Sequence, residues 1–147
     1  GGSFTTVNGF VYPHIARLLT NGLPDGNFTV GSAFNSNVLA LAIQPDDRIV
    51  VGGSFTTYKF TNSVPRIARL NADGSLDTSF DPGTGADNSI RALELQPDGK
   101  IIIAGRFQSF NGTPVPYVAR LNTELNAALA DPNRATALNP FARSCIA

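Results

Sequence analysis

Arg17, Arg69 and Arg120 occupy one position of a returning segment: Ile15-Ala16-Arg17-Leu18, Ile67-Ala68-Arg69-Leu70 and Val118-Ala119-Arg120-Leu121. Guanidinium groups at one level could form a ligand-binding ring. They could equally span adjacent units and bond backbone carbonyls or the carboxylates of Asp-rich turns. Recurrence in every unit favours the scaffold role. Asn71, Asp73 and Asp77, with Asp81 nearby, echo a calcium loop. Calcium takes about six to eight oxygens, and the dense acidic spacing of an EF-hand is missing. The first unit offers only Asn21 and Asp25 there, so a hairpin turn is expected and no metal. The Gly-rich stretch Asp81–Ser89 suggests a phosphate cradle, but such loops open helices and this one leads into a strand. It reads as a connection between units.

His14 is the only histidine, and its positional siblings are Arg66 and Tyr117, so no imidazole is required at that place. No Ser-His-Asp context surrounds it. Glu94 and Glu124 are the only glutamates, and nothing pairs them. The expectation is a non-enzymatic chain with no cofactor. Tyr58, Phe60, Phe110 and Tyr117 lie in or beside the loops 56–64 and 108–116. Aromatic rings there would give flat apolar area to a glycan or a protein, or would pack between units. Asn27-Phe28-Thr29 and Asn111-Gly112-Thr113 are glycosylation sequons. Asn111, in an expected surface loop, is the better candidate.

The elements that carry these residues repeat. Gly1-Gly2-Ser3-Phe4-Thr5-Thr6 returns as Gly52-Gly53-Ser54-Phe55-Thr56-Thr57 and, degraded, as Gly105-Arg106-Phe107-Gln108-Ser109, at spacings of 51 or 52 residues. Gln44-Pro45-Asp46-Asp47 answers Gln96-Pro97-Asp98-Gly99. That period belongs to propeller blades, solenoid turns or arrays of small sheets. Ile90–Leu95 alternates as a strand does, and Gln96–Lys100 is a turn in which Gly99 takes the left-handed conformation. Ile101-Ile102-Ile103 matches Ile49-Val50-Val51, and a continuous β-branched run suits a strand covered on both faces. After a loop of about ten residues, Arg66–Asn71 is a third strand, and Ser75–Phe80 a short polar fourth. The turn equivalence puts Asp47 where its sibling is Gly99, at a left-handed position. The fold class is all-β, built from tandem four-stranded propeller-like blades.

The segment Arg66–Phe80, followed by Asp81-Pro82-Gly83-Thr84-Gly85 and Ala92–Lys100, resembles the delta-60 repeat of large bacterial secreted or surface-associated proteins. The resemblance covers residues 1 to about 122. It implies a propeller-like fold and an extracellular or cell-surface setting, and supplies no catalytic residues. The first unit departs from it, with Leu19–Gly26 replacing the Asn-Ala-Asp-Gly hairpin.

Eleven acidic residues balance eleven basic ones, which gives no electrostatic reason to expect nucleic acid as a partner. No apolar run approaches the roughly 20 residues of a membrane helix, so no membrane insertion is expected. Charged residues make only 15% of the chain, and Lys occurs only at Lys59 and Lys100, a balance more typical of extracellular β-proteins.

The units divide as a partial one at 1–37, a complete one at 38–89, a shortened one at 90–132 and a divergent tail at 133–147 whose Phe141–Ala147 falls where a further first strand belongs. A short helix over Glu124–Ala130 is the rival reading for the region before the tail. About three blades with incomplete ends would leave sheet edges open. Gly1 matches the middle of a repeat, so a start inside a larger protein is expected. The expected partners are further repeats of a longer chain or other copies, joined by strand addition through Gly1, Gly2, Ser3, Phe4, Phe141 and Cys145. Cys145, the only cysteine, would bridge molecules or sit as a small buried residue. The leading expectation is an extracellular self-assembling scaffold. The alternative is a carbohydrate- or protein-binding segment of a larger secreted propeller.

Overall fold

Short alternating segments punctuated by turn residues give twelve strands in the computed structural model, which describes residues 1–31, 33–60 and 62–122. They are β1 (Thr6–Val7), β2 (Phe10–Val11), β3 (Val38–Ile43), β4 (Ile49–Gly53), β5 (Thr57–Tyr58), β6 (Asn62–Ser63), β7 (Ile67–Leu70), β8 (Ile90–Leu95), β9 (Ile101–Gly105), β10 (Ser109–Phe110), β11 (Thr113–Pro114) and β12 (Val118–Leu121). Among the described residues there is no helix. Two three-stranded antiparallel sheets, β3-β4-β7 and β8-β9-β12, repeat one another in order and register. Both carry a bulge at the same place, between Val38 and Ala40 and between Ile90 and Ala92. These are propeller-like blades.

The fourth strand expected at Ser75–Phe80 contracts to a single bridge, Leu70↔Leu76. Asp73 and Asp77 draw the backbone into successive turns there, accepting the amides of Ser75 and Ser79 at 2.9 Å each. That local bonding competes with a ladder. The expected ten-residue loop is itself a hairpin in every unit: β1–β2, β5–β6 and β10–β11. Asn8-Gly9 and Asn111-Gly112 turn two of them with φ of 49° and 81°, then 50° and 72°. Both residues left-handed is the signature of a type I′ turn, for which Asn-Gly is the strongest short-range signal. The middle unit uses Lys59-Phe60 instead, at 49° and 61°, in a loop one residue longer.

The Gln-Pro-Asp turns behave as the repeat implies. Asp47 has φ 63° and Gly99 φ 81°. Each donates its amide to the glutamine that opens the turn, at 3.0 Å for Asp47→Gln44 and 2.9 Å for Gly99→Gln96. Asp47→Gly removes the Cβ penalty at an exposed site that makes no resolved side-chain bond, offset by the larger entropy of glycine in the unfolded chain. The expected outcome is a raised melting temperature, worth about 1 kcal/mol or less. An unchanged or lower value in thermal unfolding would count against the turn equivalence.

His14, Arg66 and Tyr117 share a less expected conformation, with φ of 69°, 70° and 69°. Each donates its amide to the Phe of the Gly-Gly-Ser-Phe segment or its degraded copy, at 2.8 Å to Phe4, 3.0 Å to Phe55 and 2.9 Å to Phe107. Each accepts from Gly2, Gly53 or Gly105 at 2.9, 2.9 and 2.8 Å. Two backbone bonds per residue hold a conformation that a side chain disfavours.

Two cores run between units. One packs Ile15, Phe28 and Val30 of the first unit against Val38, Val51, Phe55, Ala68 and Leu70. The other packs Val50, Ile67 and Phe80 against Ile90, Ile101, Ile103, Phe107 and Leu121. Val50 and Val51 face opposite ways, so a run of consecutive β-branched residues feeds both cores.

Candidate assembly surfaces

The second unit closes on the third through a repeated pair of faces. On β4 and β7, Val50 and Ile67 are fully buried against β8 and β9. An ideal Cβ on Gly52 would lie 2.7 Å from Ile90 Cγ2, so only glycine lets the strands come this close. Leu93 and Leu95 of β8 pack partly buried on the same core.

Among the described residues, each face has a more exposed counterpart. The residues matching Leu93 and Leu95 on the second unit are Leu41 and Ile43, exposed by 43% and 61%. The residues matching Val50, Gly52 and Ile67 on the third unit are Ile102, Ala104 and Val118; the first two are half-buried, and Val118 is 55% exposed. Identical sequence positions thus differ in burial according to whether a neighbouring unit lies against them.

Gly1, Gly2, Ser3 and Phe4 lie at this first open end. Gly1 stands over Val38 and Leu41 as Gly52 stands over Ile90 and Leu93. Gly2 and Phe4 already bond His14 along one edge. On the other edge, Ser54 finds Asn37 at 2.9 Å, while the Ser3 amide makes no bond among the described residues. Ala68–Leu70 pair with Ile49–Val51, but Ala16–Leu18 have no such ladder among the described residues. Phe141, Cys145 and the rival helix over Glu124–Ala130 lie outside the described residues.

The arginines are bound into the scaffold. Arg17 Nε donates to Asp25 at 2.9 Å and its Nη1 to the Ala72 carbonyl of the next unit at 2.5 Å. Arg69 Nε donates to Asp77 at 2.7 Å in a nearly fully buried pair. Each guanidinium sits over a ring, 4.9 Å from the centroid of Phe28 and 5.0 Å from that of Phe80. Asp77 also accepts from Arg48 at 3.2 Å and from the Ser79 hydroxyl at 2.6 Å. Burial works against its charge, but the Ser79 hydroxyl and amide, then Arg48 and Arg69, outweigh it and hold its pKa at about 2. Asp25, Asp46, Asp73, Asp77, Asp81 and Asp98 each accept the amide two residues on. The acidic residues that could suggest a calcium loop are the caps of tight turns. Among the described residues no group of three His, Cys, Asp or Glu side chains could hold a metal ion.

Two of the four rings expected at a ligand surface belong to the core. Tyr58 and Phe110 are buried, because the hairpins that carry them fold inward over the cores. The Tyr58 hydroxyl donates to the Gly74 carbonyl at 2.5 Å, and burial, then the charge of Asp73, pushes its pKa up to about 12. Phe60 and Tyr117 are 72% and 58% exposed. Asn111 accepts the Gly85 amide at 2.8 Å and the Thr84 hydroxyl at 3.3 Å, so its side chain clasps the Gly-rich connection. Asn27 is exposed, and its side chain makes no such bond among the described residues. A shallow cleft of about 330 Å³ lies between β6 and the Asp77 turn, lined by Asn62, Ser63, Thr78 and Asp81 among others.

The type I′ hairpins are the main feature that strand and loop reading missed. Asn8-Gly9 and Asn111-Gly112 were the available signal. The repeat phase implied open ends, but Leu41 and Leu93 are the same residue in the same repeat position, so residue type did not say which copy is exposed.

A family model described as a domain of unknown function (DUF5122) beta-propeller matches residues 1–28, 44–80 and 96–126. Two of these spans open at the equivalent glutamines, Gln44 and Gln96, and two close at the equivalent phenylalanines, Phe28 and Phe80. No curated protein and no solved structure matches the chain.

Proposed function

This chain belongs to the DUF5122 β-propeller family, and from that premise we propose that it is a non-enzymatic structural module that assembles through its open blade faces. The observation carrying this reading is the contrast between Leu93 and Leu95, packed against the second unit, and Leu41 and Ile43, exposed at the other end of the array. Apolar sheet faces and unpaired strand edges favour association with another strand or sheet. The assembling partners are other copies or further repeats of a longer chain, the copies joined by strand addition beside Gly1–Phe4. A head-to-tail contact of this kind closes into a ring or continues as a filament according to the rotation per step. The delta-60 resemblance carried by Arg66–Phe80 supports a secreted or cell-surface setting. Sedimentation velocity over a wide concentration range is expected to show species larger than one chain, growing with concentration. A single monomeric boundary throughout would overturn the self-assembly reading.

The second reading, a glycan- or protein-binding segment, rests on Phe60 and Tyr117. These are the two exposed rings of the original four.

A further inference from the structure

Residues repeated in every unit serve the fold, whereas residues confined to one unit can serve a ligand. The cleft of about 330 Å³ between β6 and the Asp77 turn is lined by residues of the second kind: Asn62, Ser63, Thr78 and Asp81. The first unit has Phe10, Val11, Gly26 and Thr29 at these positions, and the third has Thr113 and Pro114 at the first two. Relative to the first unit, two apolar side chains and a glycine thus become an amide and two hydroxyls. The Ser63 and Thr78 hydroxyls are exposed and make no hydrogen bond among the described residues. Asp81 accepts the Gly83 amide at 2.8 Å and forms no ion pair among the described residues. Asp77, also in the lining, is already neutralised by Arg48 and Arg69, and Ala68 and Leu76 add apolar surface. Phe60 stands two residues from Asn62, in the hairpin that pairs Asn62 with Tyr58. The sibling turns are Asn8-Gly9 and Asn111-Gly112, types that accept left-handed backbone, yet Phe60 holds φ 61° and is 72% exposed. A strained aromatic residue kept in solvent calls for a role other than packing. We propose that this cleft, with Phe60 beside it, binds one ring of a neutral saccharide. Amide, hydroxyl and carboxylate groups pair with vicinal hydroxyls, and an aromatic ring gives flat apolar area to the C–H face of a sugar. The volume lies at the low end for ligand pockets and suits a single ring or a chain end. The Asp81 carboxylate repels acidic sugars and so selects against them. The inference deepens the glycan-binding reading and rests on it.

The probes are the neutral trisaccharides cellotriose, maltotriose, mannotriose and chitotriose, with trigalacturonate as the acidic control, titrated by saturation-transfer NMR on the full chain. At least one neutral probe is expected to bind saturably and more tightly than trigalacturonate. Ser63→Ala and Thr78→Val should each weaken that binding by about three-fold or more, since each removes a hydrogen bond. Both residues are exposed, so both variants should keep the melting temperature. Asp81→Asn, which retains an acceptor for Gly83, should weaken neutral binding by about ten-fold and narrow the gap to trigalacturonate. Phe60→Gly should weaken binding by about three-fold or more without lowering the melting temperature, because glycine accepts this φ. Absence of binding to every neutral probe overturns the proposal and leaves the second reading only its protein form. Tighter binding of trigalacturonate than of any neutral probe also overturns it. Binding that falls with Phe60→Gly or Tyr117→Ala but is indifferent to the Ser63, Thr78 and Asp81 variants keeps the glycan reading and removes it from this cleft.

Discussion

Asp77→Ala is expected to destabilise the protein by about 3–5 kcal/mol, the cost of removing one partner from a buried ion pair. The carboxylate accepts from Arg69, Arg48 and the Ser79 hydroxyl and amide, so one truncation unbinds several donors at once. The Arg69 guanidinium stays in place over Phe80 with its charge buried and its nearest counter-charge gone. At the equivalent place in the first unit, Asp25→Ala is expected to cost less. Its partner Arg17 is 38% exposed, so water can solvate the released charge. The effect carries a pH signature. The folded pKa of about 2 lies below the ordinary value of 3.8, so the Asp77 contribution is fully present above about pH 4 and is lost as pH falls toward 2. The gap in melting temperature between wild type and Asp77→Ala should be widest near neutrality and narrow through that window. Thermal unfolding followed by circular dichroism across this range reads both effects. Equal melting temperatures near neutral pH would show that the pair does not hold the unit together.

Phe55→Ala should cost a similar amount, about 3–5 kcal/mol, by opening a cavity where a fully buried ring stood. Phe55 stacks on Phe34 at 4.2 Å between centroids, and Phe34 meets Tyr58 edge-on at 5.2 Å. The three rings fill the first core between the sheet and the small hairpin. Phe4 is the same residue of the same Gly-Gly-Ser-Phe motif, yet it is only half-buried. Phe4→Ala should therefore cost well under half as much in the isolated chain. Denaturant titration of the two variants compares them directly, and equal losses would contradict the burial assigned to Phe4.

That pair of phenylalanines shows where sequence reasoning stops. The repeat period, the Gln-Pro-Asp turns with Asp47 left-handed, and the β-branched runs are local matters. They depend on which backbone conformations a few neighbouring residues allow, and those conformations formed as the spacing implied. The scaffold role of Arg17 and Arg69 was also legible, because a residue repeated in every unit is better explained by what every unit needs. The fate of Ser75–Phe80 was harder to read, since its alternating pattern suits a strand while Asp73 and Asp77 favour turns. The turns prevailed through hydrogen bonds made within two residues.

The rings could not be assigned from sequence. Tyr58 and Phe60 sit two residues apart in one hairpin, and one is buried while the other is 72% exposed. Which ring turns inward depends on how the hairpin folds over the core, a relation between distant segments. The exposed side of β3 is the sharpest case. Leu41 and Leu93 occupy one position of one repeat, and no property of either residue distinguishes them. By itself the sequence determined a returning β unit, its turns and its internal clasps, because these follow from short-range sterics and hydrogen bonding. Only the tertiary structure decided which copies of an apolar face are covered, because burial belongs to the neighbour as much as to the residue.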